Sequence, residues 1–302
     1  MNAQYKVHSL VSIAIITYNQ KEYLKECIES ILEQDYPNIE IVVADDASND
    51  GTQEMLQEYS KKYPEKFVLK LSKQNQGITK NSNIAHFACS GKYIAWMGGD
   101  DLMLPGKIRK QVEYMENNLN CTICYHDLDV FESNTNKTLF YFNENSKYEG
   151  DVKVVLKYGT FNGACSTMVR NAKTPKTGFN ELIPVASDWL YWCETLLNGG
   201  TINYIDEVLG RYRRHDNNIT GKVGNKITQN EIDHLNSCNI LLSQYPQYSK
   251  EILYRYSENI RAFRLTKEDF INYTQASCRI NFNVKAFISL VIYYITFGKV
   301  KK

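Results

Sequence analysis

Apolar and polar positions alternate between two kinds of segment in the first hundred residues. Leu10–Thr17 is a near-continuous run of apolar and β-branched residues, typical of a strand buried on both faces. Lys21–Gln34 then places apolar side chains at helical spacing. Further strands are predicted at 39–44, 67–71 and 93–97, and further helices from the loop at 45–52 to about 63 and from 78 to about 90. This order predicts parallel strand-helix-strand units with right-handed crossovers.

The pattern changes twice along the rest of the chain. Strands are predicted at Cys121–Phe131 and Thr138–Phe142, with a less regular pattern from there to Arg214. Residues 226–296 contain few turn formers and are predicted to be mainly helical. Asp, Asn and Gly residues interrupt the pattern at 217–226, so we place a domain boundary there.

Composition excludes several classes of protein. Of the 302 residues, 43% are hydrophobic and 23% charged, which excludes a disordered or fibrous chain. Lys and Arg number 35 against 34 Asp and Glu, which excludes a generally basic nucleic-acid-binding protein. Eight cysteines are too few for a disulfide scaffold, so reduced thiols are expected. No signal peptide and no spanning segment is visible, so we expect a cytoplasmic protein.

The end of the chain has its own charge and hydropathy. Residues 250–302 carry a net charge of +6, and Ala286–Phe297 is an apolar run of twelve residues that three lysines follow. Such a run is too short to span a bilayer, but a helix lying at the surface of the cytoplasmic membrane, on its inner face, would have this pattern. A core helix with a solvated tail would have the same pattern, and both interpretations stay open.

Three polar clusters directly follow predicted parallel strands. They are Thr17-Tyr18-Asn19, Asp45-Asp46 and Gly98-Gly99-Asp100-Asp101. Because ligands of open α/β sheets bind outside the carboxyl ends of the strands, we expect the three clusters to meet at one edge. Asp100 and Asp101 would repel each other without a cation, and carboxylate oxygens suit Mg²⁺ or Mn²⁺ bound to a diphosphate.

Several segments resemble glycosyltransferase family 2, whose members are inverting enzymes with the nucleotide-sugar-binding GT-A fold. The opening SIAIITYNQKEYLKECIESILEQDYPNIEIVVADDASNDGT is similar to the start of that family. NQGITKNSNIAHFACSGKYIAWMGGDD resembles its metal-binding acidic segment, ASDWLYW the segment with the catalytic base, and RYRRHDNNIT a motif that closes the catalytic domain. The resemblance covers about residues 10–220 and implies a mixed, mainly parallel sheet flanked by helices.

The resemblance also implies a role for individual residues. Thr17 and Asp46 match positions that contact uracil, Asp100 the acid that faces the ribose, and Asp101 the direct metal ligand. Asp188 matches the base that deprotonates the acceptor. We add His215 as a second metal ligand and expect Arg214 to contact the diphosphate, with a solvated basic surface as an equal alternative for both. The remaining predicted donor contacts are Tyr18, Asn19, Asp45, Asn75 and Gly77, and the predicted acceptor contacts are Trp189 and Trp192.

Two departures from the family pattern bear on the mechanism. Many members have an acid two positions before the metal ligand, where this chain has Gly99. The Gln-x-x-Arg-Trp motif of processive synthases is missing, which favours the addition of a single sugar. For Trp189 and Trp192, a purely structural role in a core helix is an equal alternative. Cys121-x-x-Cys124 has metal-ligand spacing, but without a second pair we do not expect zinc there.

These observations predict a GT-A catalytic domain over 1–220, with a nucleotide-sugar-binding half (1–101) and an acceptor half (102–220). Residues 221–302 would form a C-terminal helical region. The predicted activity is transfer from a UDP-sugar to a glycan acceptor, with Mn²⁺ or Mg²⁺ as cofactor. The acceptor expected from the family is a lipid-linked oligosaccharide in O-antigen or capsule synthesis. A sugar-phosphate nucleotidyltransferase and a non-catalytic sugar-binding or scaffold protein remain as alternatives.

Overall fold

The structure is a computed structural model that describes residues 8–216, 218, 228–265 and 269–301. The strands are β1 (Val11–Thr17), β2 (Ile39–Asp45), β3 (Phe67–Leu71), β4 (Tyr93–Gly98), β5 (Leu102–Met103), β6 (Cys121–Glu132), β7 (Thr138–Tyr141), β8 (Met168–Arg170) and β9 (Thr201–Arg214). The helices are α1 (Lys21–Leu32), α2 (Thr52–Lys62), α3 (Ile78–Ala88), α4 (Lys107–Asn117), α5 (Val152–Tyr158), α6 (Asp188–Leu197), α7 (Gln229–Gln244), α8 (Ser249–Ala262), α9 (Phe270–Ile280) and α10 (Val284–Ile295).

One mixed sheet joins the strands in the order β3-β2-β1-β4-β8-β6-β9-β5, with β7 paired to β6. The first four strands of this order are parallel to one another, as the strand-helix alternation predicts. Beyond β4 the sheet becomes mixed, because β8 runs antiparallel to both β4 and β6 while β6 and β9 are parallel. The predicted mixed sheet flanked by helices is confirmed.

Period-two alternation on the central strands separates two apolar cores. On β1, Val11, Ile13 and Ile15 face one core, which includes the apolar sides of α1 and α4. Ala14, on the other face of β1, belongs to the second core, together with Trp96 of β4 and much of α6. Burial on both faces explains the continuous apolar run and fixes where the polar residues at the strand end must lie.

The C-terminal part of the described chain is helical, as predicted. Each helix from α6 to α10 packs on the next, so α10 lies at the end of a series of helix contacts. The predicted boundary at 217–226 lies, except for residue 218, outside the described residues, and the division into domains stays a prediction. Among the described helices, none has the length and apolar character needed to cross a bilayer.

Candidate functional site

A cavity of about 610 Å³ opens at the carboxyl ends of β1, β2 and β4. All three predicted polar clusters contribute to its lining, so the topology brings together residues that lie up to 84 positions apart, from Thr17 to Asp101. The second half of the chain closes the cavity with Asp188 and His215. The predicted site residues that line it are Thr17, Tyr18, Asn19, Asp46, Asn75, Gly77, Asp100, Asp101, Asp188, Trp192 and His215.

The loop after β1 forms one wall of this cavity. Thr17 is 3% exposed, and its buried hydroxyl oxygen has no hydrogen-bond partner among the described residues. Gly99 leaves the space next to this hydroxyl open, since a Cβ on residue 99 would lie 2.9 Å from Thr17 Oγ1. Asn19 adopts a positive φ of 49° and donates its backbone N–H to Ser48 Oγ at 2.8 Å. The loops that follow β1 and β2 are therefore joined at the cavity edge.

Asp46 fixes the loop that precedes α3. Its Oδ1 accepts the backbone N–H of Gln76 at 2.7 Å, and its Oδ2 accepts that of Gly77 at 2.9 Å. Gly77 can take part because its φ of 87° lies in the region that favours glycine. Each carboxylate oxygen has further lone pairs, so Asp46 can still accept a hydrogen bond from a ligand N–H.

Asp45 does not line the cavity, so the structure does not bring it together with the other predicted donor contacts. The residue is fully buried, and its Oδ2 accepts the backbone N–H of Ser48 at 3.0 Å and the side-chain amide of Gln53 at 2.7 Å. Neighbouring residues at a strand end point to opposite sides of the sheet, which separates Asp45 from Asp46. Asp45 therefore holds the loop after β2 by hydrogen bonds on the side away from the cavity.

The acidic pair, Asp100 and Asp101, converges beside Gly98. A Cβ on that glycine would lie 2.8 Å from Asp100 Oδ1 and 3.1 Å from Asp101 Oδ2, so a larger residue would displace both carboxylates. Burial, and then the charge of Asp100, raises the pKa of the Asp101 carboxyl well above its usual range. A bound cation would reverse this effect by favouring the ionised form.

The residues fit a divalent cation only in part. Among the described residues, no three His, Cys, Asp or Glu side chains are arranged to hold a metal ion by themselves. The acidic pair offers hard oxygen ligands at the cavity, and further ligands would have to come from the substrate. His215 Nε2 lies 3.0 Å from Asp100 Oδ2, and Asn218 Nδ2 lies 3.2 Å from the same oxygen. In this arrangement His215 positions Asp100.

Arg213, the neighbour of the predicted Arg214, contacts the acidic pair from outside the cavity lining. Its backbone N–H donates to Asp101 Oδ1 at 3.0 Å, and its Nε donates to the carbonyl of Asp100 at 2.7 Å. The guanidinium is 4% exposed, pairs with Glu26 and lies 4.7 Å from the centre of the Tyr23 ring. Arg213 therefore holds the acidic pair against α1.

Arg214 lies beside Tyr212, a residue that lines the cavity. Its guanidinium lies over the ring of Tyr212 at 4.8 Å and does not line the cavity. The structure does not bring Arg214 into the cavity lining, and its predicted diphosphate contact stays a prediction. By strand alternation Arg211 and Arg213 share one face of β9, and Tyr212 and Arg214 share the other.

Asp188 begins α6 at the opposite wall. Its Oδ1 accepts the backbone N–H of Trp189 at 2.8 Å, in the first turn of the helix. Burial raises the pKa of the Asp188 carboxyl, and the hydrogen bonds only partly oppose this. A carboxylate whose pKa is raised accepts a proton more readily, which is the property that a general base needs.

The two tryptophans of α6 differ in position. Trp189 is fully buried, and its indole N–H donates to the carbonyl of Val155 at 2.9 Å. The structure does not bring Trp189 to the cavity, because α6 is buried around most of its circumference and this position faces the core, as the structural alternative expects. Trp192 is 1% exposed but does line the cavity.

An aromatic wall was not predicted. Trp96 and Phe179 line the cavity, and Phe179 stacks on Tyr191 with ring centres 4.0 Å apart and planes 3° apart. Trp96 meets the edge of Phe179 at 5.0 Å. The position of Trp96, on a strand two residues before Gly98, was an available signal, whereas Phe179 comes from an irregular segment. Asn230, at the start of α7, also lines the cavity, so the helical region reaches the site.

Comparison with known proteins agrees with this geometry. The family model for glycosyl transferase family 2 matches residues 12–173, which is more than half of the chain. An uncharacterized glycosyltransferase of Haemophilus influenzae is 32% identical over 221 residues, covering 69% of this chain. The chain spans 66% of the length of that relative.

Two solved structures share the fold. Residues 1–349 of S. aureus TarS, in complex with UDP-GlcNAc, superpose with a TM-score of 0.66 at 16% identity, covering 96% of this chain and 88% of that one. A mannosyltransferase of Pyrobaculum calidifontis, in complex with GDP-Man and Mn²⁺, gives 0.61 at 14% identity, covering 97% and 81%. At this identity the likeness establishes the GT-A fold and no more. With the family match, it shows that the chain belongs to glycosyltransferase family 2.

Proposed function

We propose that the protein is an inverting glycosyltransferase that moves one sugar from a UDP-sugar to a hydroxyl group of a glycan. The observation that carries the proposal is the convergence of Asp46, the acidic pair and Asp188 on one cavity. Family membership and the donor complexes of the two structural neighbours support a nucleotide-sugar donor.

The nucleotide would bind at the wall formed by the loops after β1 and β2. Asp46 and the unpartnered hydroxyl of Thr17 offer hydrogen bonds to the base, with the carboxylate accepting from a ring N–H. The ribose and diphosphate would lie toward Asp100 and Asp101. The two structural neighbours hold UDP and GDP donors on one fold, so the uracil assignment rests on these side chains and needs a direct test.

The chemical step would be a direct displacement. The acceptor hydroxyl gives its proton to Asp188, and its oxygen forms a bond to the anomeric carbon as the bond from that carbon to the diphosphate oxygen breaks. The departing UDP carries the electron pair of the broken bond. Mn²⁺ or Mg²⁺, held by Asp101 with Asp100 and His215 beside it, would supply charge stabilisation for the diphosphate. One displacement from the opposite face inverts the anomeric centre.

We further propose that the acceptor is a lipid-linked oligosaccharide of a surface polysaccharide, such as O-antigen or capsule, presented at the inner face of the cytoplasmic membrane. A similar protein of Bacillus subtilis is a putative teichuronic acid biosynthesis glycosyltransferase, 27% identical over 212 residues. That relationship supports a cell-envelope glycan as the acceptor class.

The two alternatives predict other site chemistry. A sugar-phosphate nucleotidyltransferase would need a basic glycine-rich loop after β1, where this chain has Thr17-Tyr18-Asn19-Gln20. A sugar-binding protein would need neither a base nor an acidic pair, and a buried pair of carboxylates is unfavourable without a cation.

A donor panel tests the proposal. Purified protein is incubated with each of several UDP-sugars and GDP-sugars in Mn²⁺ or Mg²⁺, and release of the nucleoside diphosphate is measured without acceptor and with a glycan extract. UDP release from one sugar, with Asp188→Asn inactive, is the expected result. Release from GDP-sugars alone would overturn the assignment of uracil. No release and no binding of any nucleotide would overturn the transferase function.

A further inference from the structure

The last described helix, α10, turns small side chains toward the protein and large apolar side chains toward solvent. α10 buries Ala286 and Ser289 against the rest of the protein. The opposite side of the helix, here called the apolar face, consists of Val284, Phe287, Ile288, Val291, Tyr294 and Ile295, which are each between 38% and 72% exposed. A helix on the surface of a soluble protein normally turns its large apolar side chains inward.

The exposure is concentrated at this end of the molecule. Eight of the sixteen exposed large apolar side chains in the described residues lie within 282–297. Phe297, just after α10, is 92% exposed. Contiguous apolar surface of this kind marks a surface that another molecule covers.

The charge around the apolar face indicates what covers it. Residues 270–302 contain no Asp or Glu and five basic residues. Lys285, Lys299 and Lys301 are exposed and flank the helix at both ends. An anionic surface complements this pattern, whereas a second copy of the chain in a two-fold dimer would bring the same lysines close to each other.

The helix is also held firmly in place. Asn283 caps α10 by accepting the backbone N–H of Ala286 at 3.1 Å, and its Nδ2 donates to Ser257 of α8 at 3.3 Å. At twelve residues, α10 measures about 18 Å, which is short of the roughly 30 Å of a bilayer core. It can lie in a bilayer surface but cannot cross it.

We propose that α10 binds an anionic lipid bilayer, lying in the plane of the headgroups with its apolar face toward the acyl chains and its flanking lysines on the phosphates. The inference rests on the proposed function only for what membrane binding would achieve, which is to bring the cavity close to a lipid-linked acceptor. Binding itself depends on the apolar face and the lysines.

The experiment is co-sedimentation of the full chain with vesicles of phosphatidylcholine containing phosphatidylglycerol, and with vesicles of phosphatidylcholine alone. We expect binding to the anionic vesicles that weakens as salt is added. The triple variant Ile288→Ser, Val291→Ser, Ile295→Ser should lower the partition coefficient by at least about 100-fold, since each side chain loses several buried carbons. The variant Lys285→Glu, Lys299→Glu, Lys301→Glu should lower it by at least about 100-fold, since each lost lysine accounts for about fivefold and each new glutamate is repelled by the anionic lipid.

A matched control is the pair Leu139→Ser, Phe140→Ser on β7, whose side chains are 51% and 46% exposed. This control should bind vesicles as the wild type does, and all variants should keep the wild-type Tm and UDP affinity because only exposed side chains change. Failure of the wild type to sediment with anionic vesicles, or equal sedimentation of the triple serine variant, would overturn the proposal. So would a dimer in solution that the triple serine variant converts to monomer. Vesicle binding without UDP binding would instead overturn the proposed function alone.

Discussion

The two walls of the cavity are built in different ways. The first wall comes from residues 16–101, where Thr17 ends β1, Asp46 directly follows β2 and Asp101 comes three positions after β4. The second wall comes from residues 164–230, where Asp188 begins a helix and His215 follows a long irregular strand. The first wall follows from topology, because parallel strands all end at one edge of the sheet. The second depends on how α6 and β9 pack, which no local pattern specifies.

The difference has a chemical counterpart. The first wall carries the groups proposed to hold a nucleotide diphosphate, and the second carries the proposed base. Arg213 joins the walls, since it extends from β9 to the backbone of Asp100 and to Glu26 of α1. Variants of the first wall should therefore lose affinity for UDP in Mn²⁺, whereas variants at the proposed base should lose turnover alone.

The largest effect is expected at the first wall. Asp101→Ala should lower kcat/KM by about 10³-fold or more, because charge on the departing diphosphate is then poorly stabilised. UDP affinity, measured by calorimetry, should fall in Mn²⁺ and change little in excess EDTA. Asp206→Asn, at an exposed acid paired with Lys147, is the control and should leave both quantities unchanged. Equal turnover of the wild type in Mn²⁺ and in excess EDTA would contradict the metal role.

A variant of the second wall should lower turnover without changing the affinity for the donor. Asp188→Asn should lower kcat by about 10²-fold or more and leave the affinity for the UDP-sugar nearly unchanged, since only the proton acceptor is lost. A variant that binds donor weakly but turns over normally would identify Asp188 as a donor contact.

The pH dependence gives a second measure of the same residue. Because burial raises the pKa of Asp188, the acid limb of the rate profile should lie above the range of an ordinary aspartate. The stability effect has the opposite sign to that of an ion-paired carboxylate. The folded state disfavours the charge, so Asp188→Asn should raise the Tm above the raised pKa, and this gain should disappear as the pH falls below the ordinary aspartate range. Identical pH profiles of Tm for the wild type and the variant would contradict the burial argument.

The link between the walls should have an intermediate effect. Arg213→Lys keeps the charge but loses the fork that contacts Asp100 and Glu26, so the apparent affinity for Mn²⁺ should fall by about tenfold. The control is Arg211→Lys, on the same face of β9, where the guanidinium pairs with Asp129 and Asn136 away from the cavity. Both variants should lose Tm, but only Arg213→Lys should change the Mn²⁺ dependence of turnover. A Mn²⁺ dependence shared by both variants would reduce Arg213 to a structural residue.

Sequence reasoning located the first wall better than the second, for physical reasons. A strand buried on both faces leaves one register, so the polar residues after β1 and β4 could be placed at the cavity from the pattern alone. Asp45 was grouped with Asp46 because two adjacent acids at a strand end look alike in sequence, while only one of them faces the cavity. On β9 the alternation separates Arg213 from Arg214, but no sequence pattern shows that the Arg213 side chain reaches the acidic pair and Glu26.

The aromatic wall shows a further limit. Phe179 comes from a segment without regular structure, and its stacking on Tyr191 depends on the path of the chain between β8 and α6. Burial of α6 on nearly all sides also removes the periodicity that would tell Trp189 from Trp192. Residue type made Trp189 and Trp192 candidates for the acceptor site, and the packing of α6 brings only Trp192 to the cavity.

The smallest effect is expected from separating these two tryptophans. Trp189→Phe keeps an aromatic ring but removes the N–H that donates to the carbonyl of Val155, so the free energy of unfolding should fall by about 1–2 kcal/mol. Donor and acceptor KM should stay at their wild-type values, because the ring does not reach the cavity. Trp192→Phe changes a ring that lines the cavity, and a substrate KM should rise while stability changes less, since its indole N–H has no partner to lose. Denaturant titration and acceptor kinetics on the two variants measure both quantities. A raised acceptor KM in Trp189→Phe, with an unchanged free energy of unfolding, would instead place Trp189 at the acceptor site.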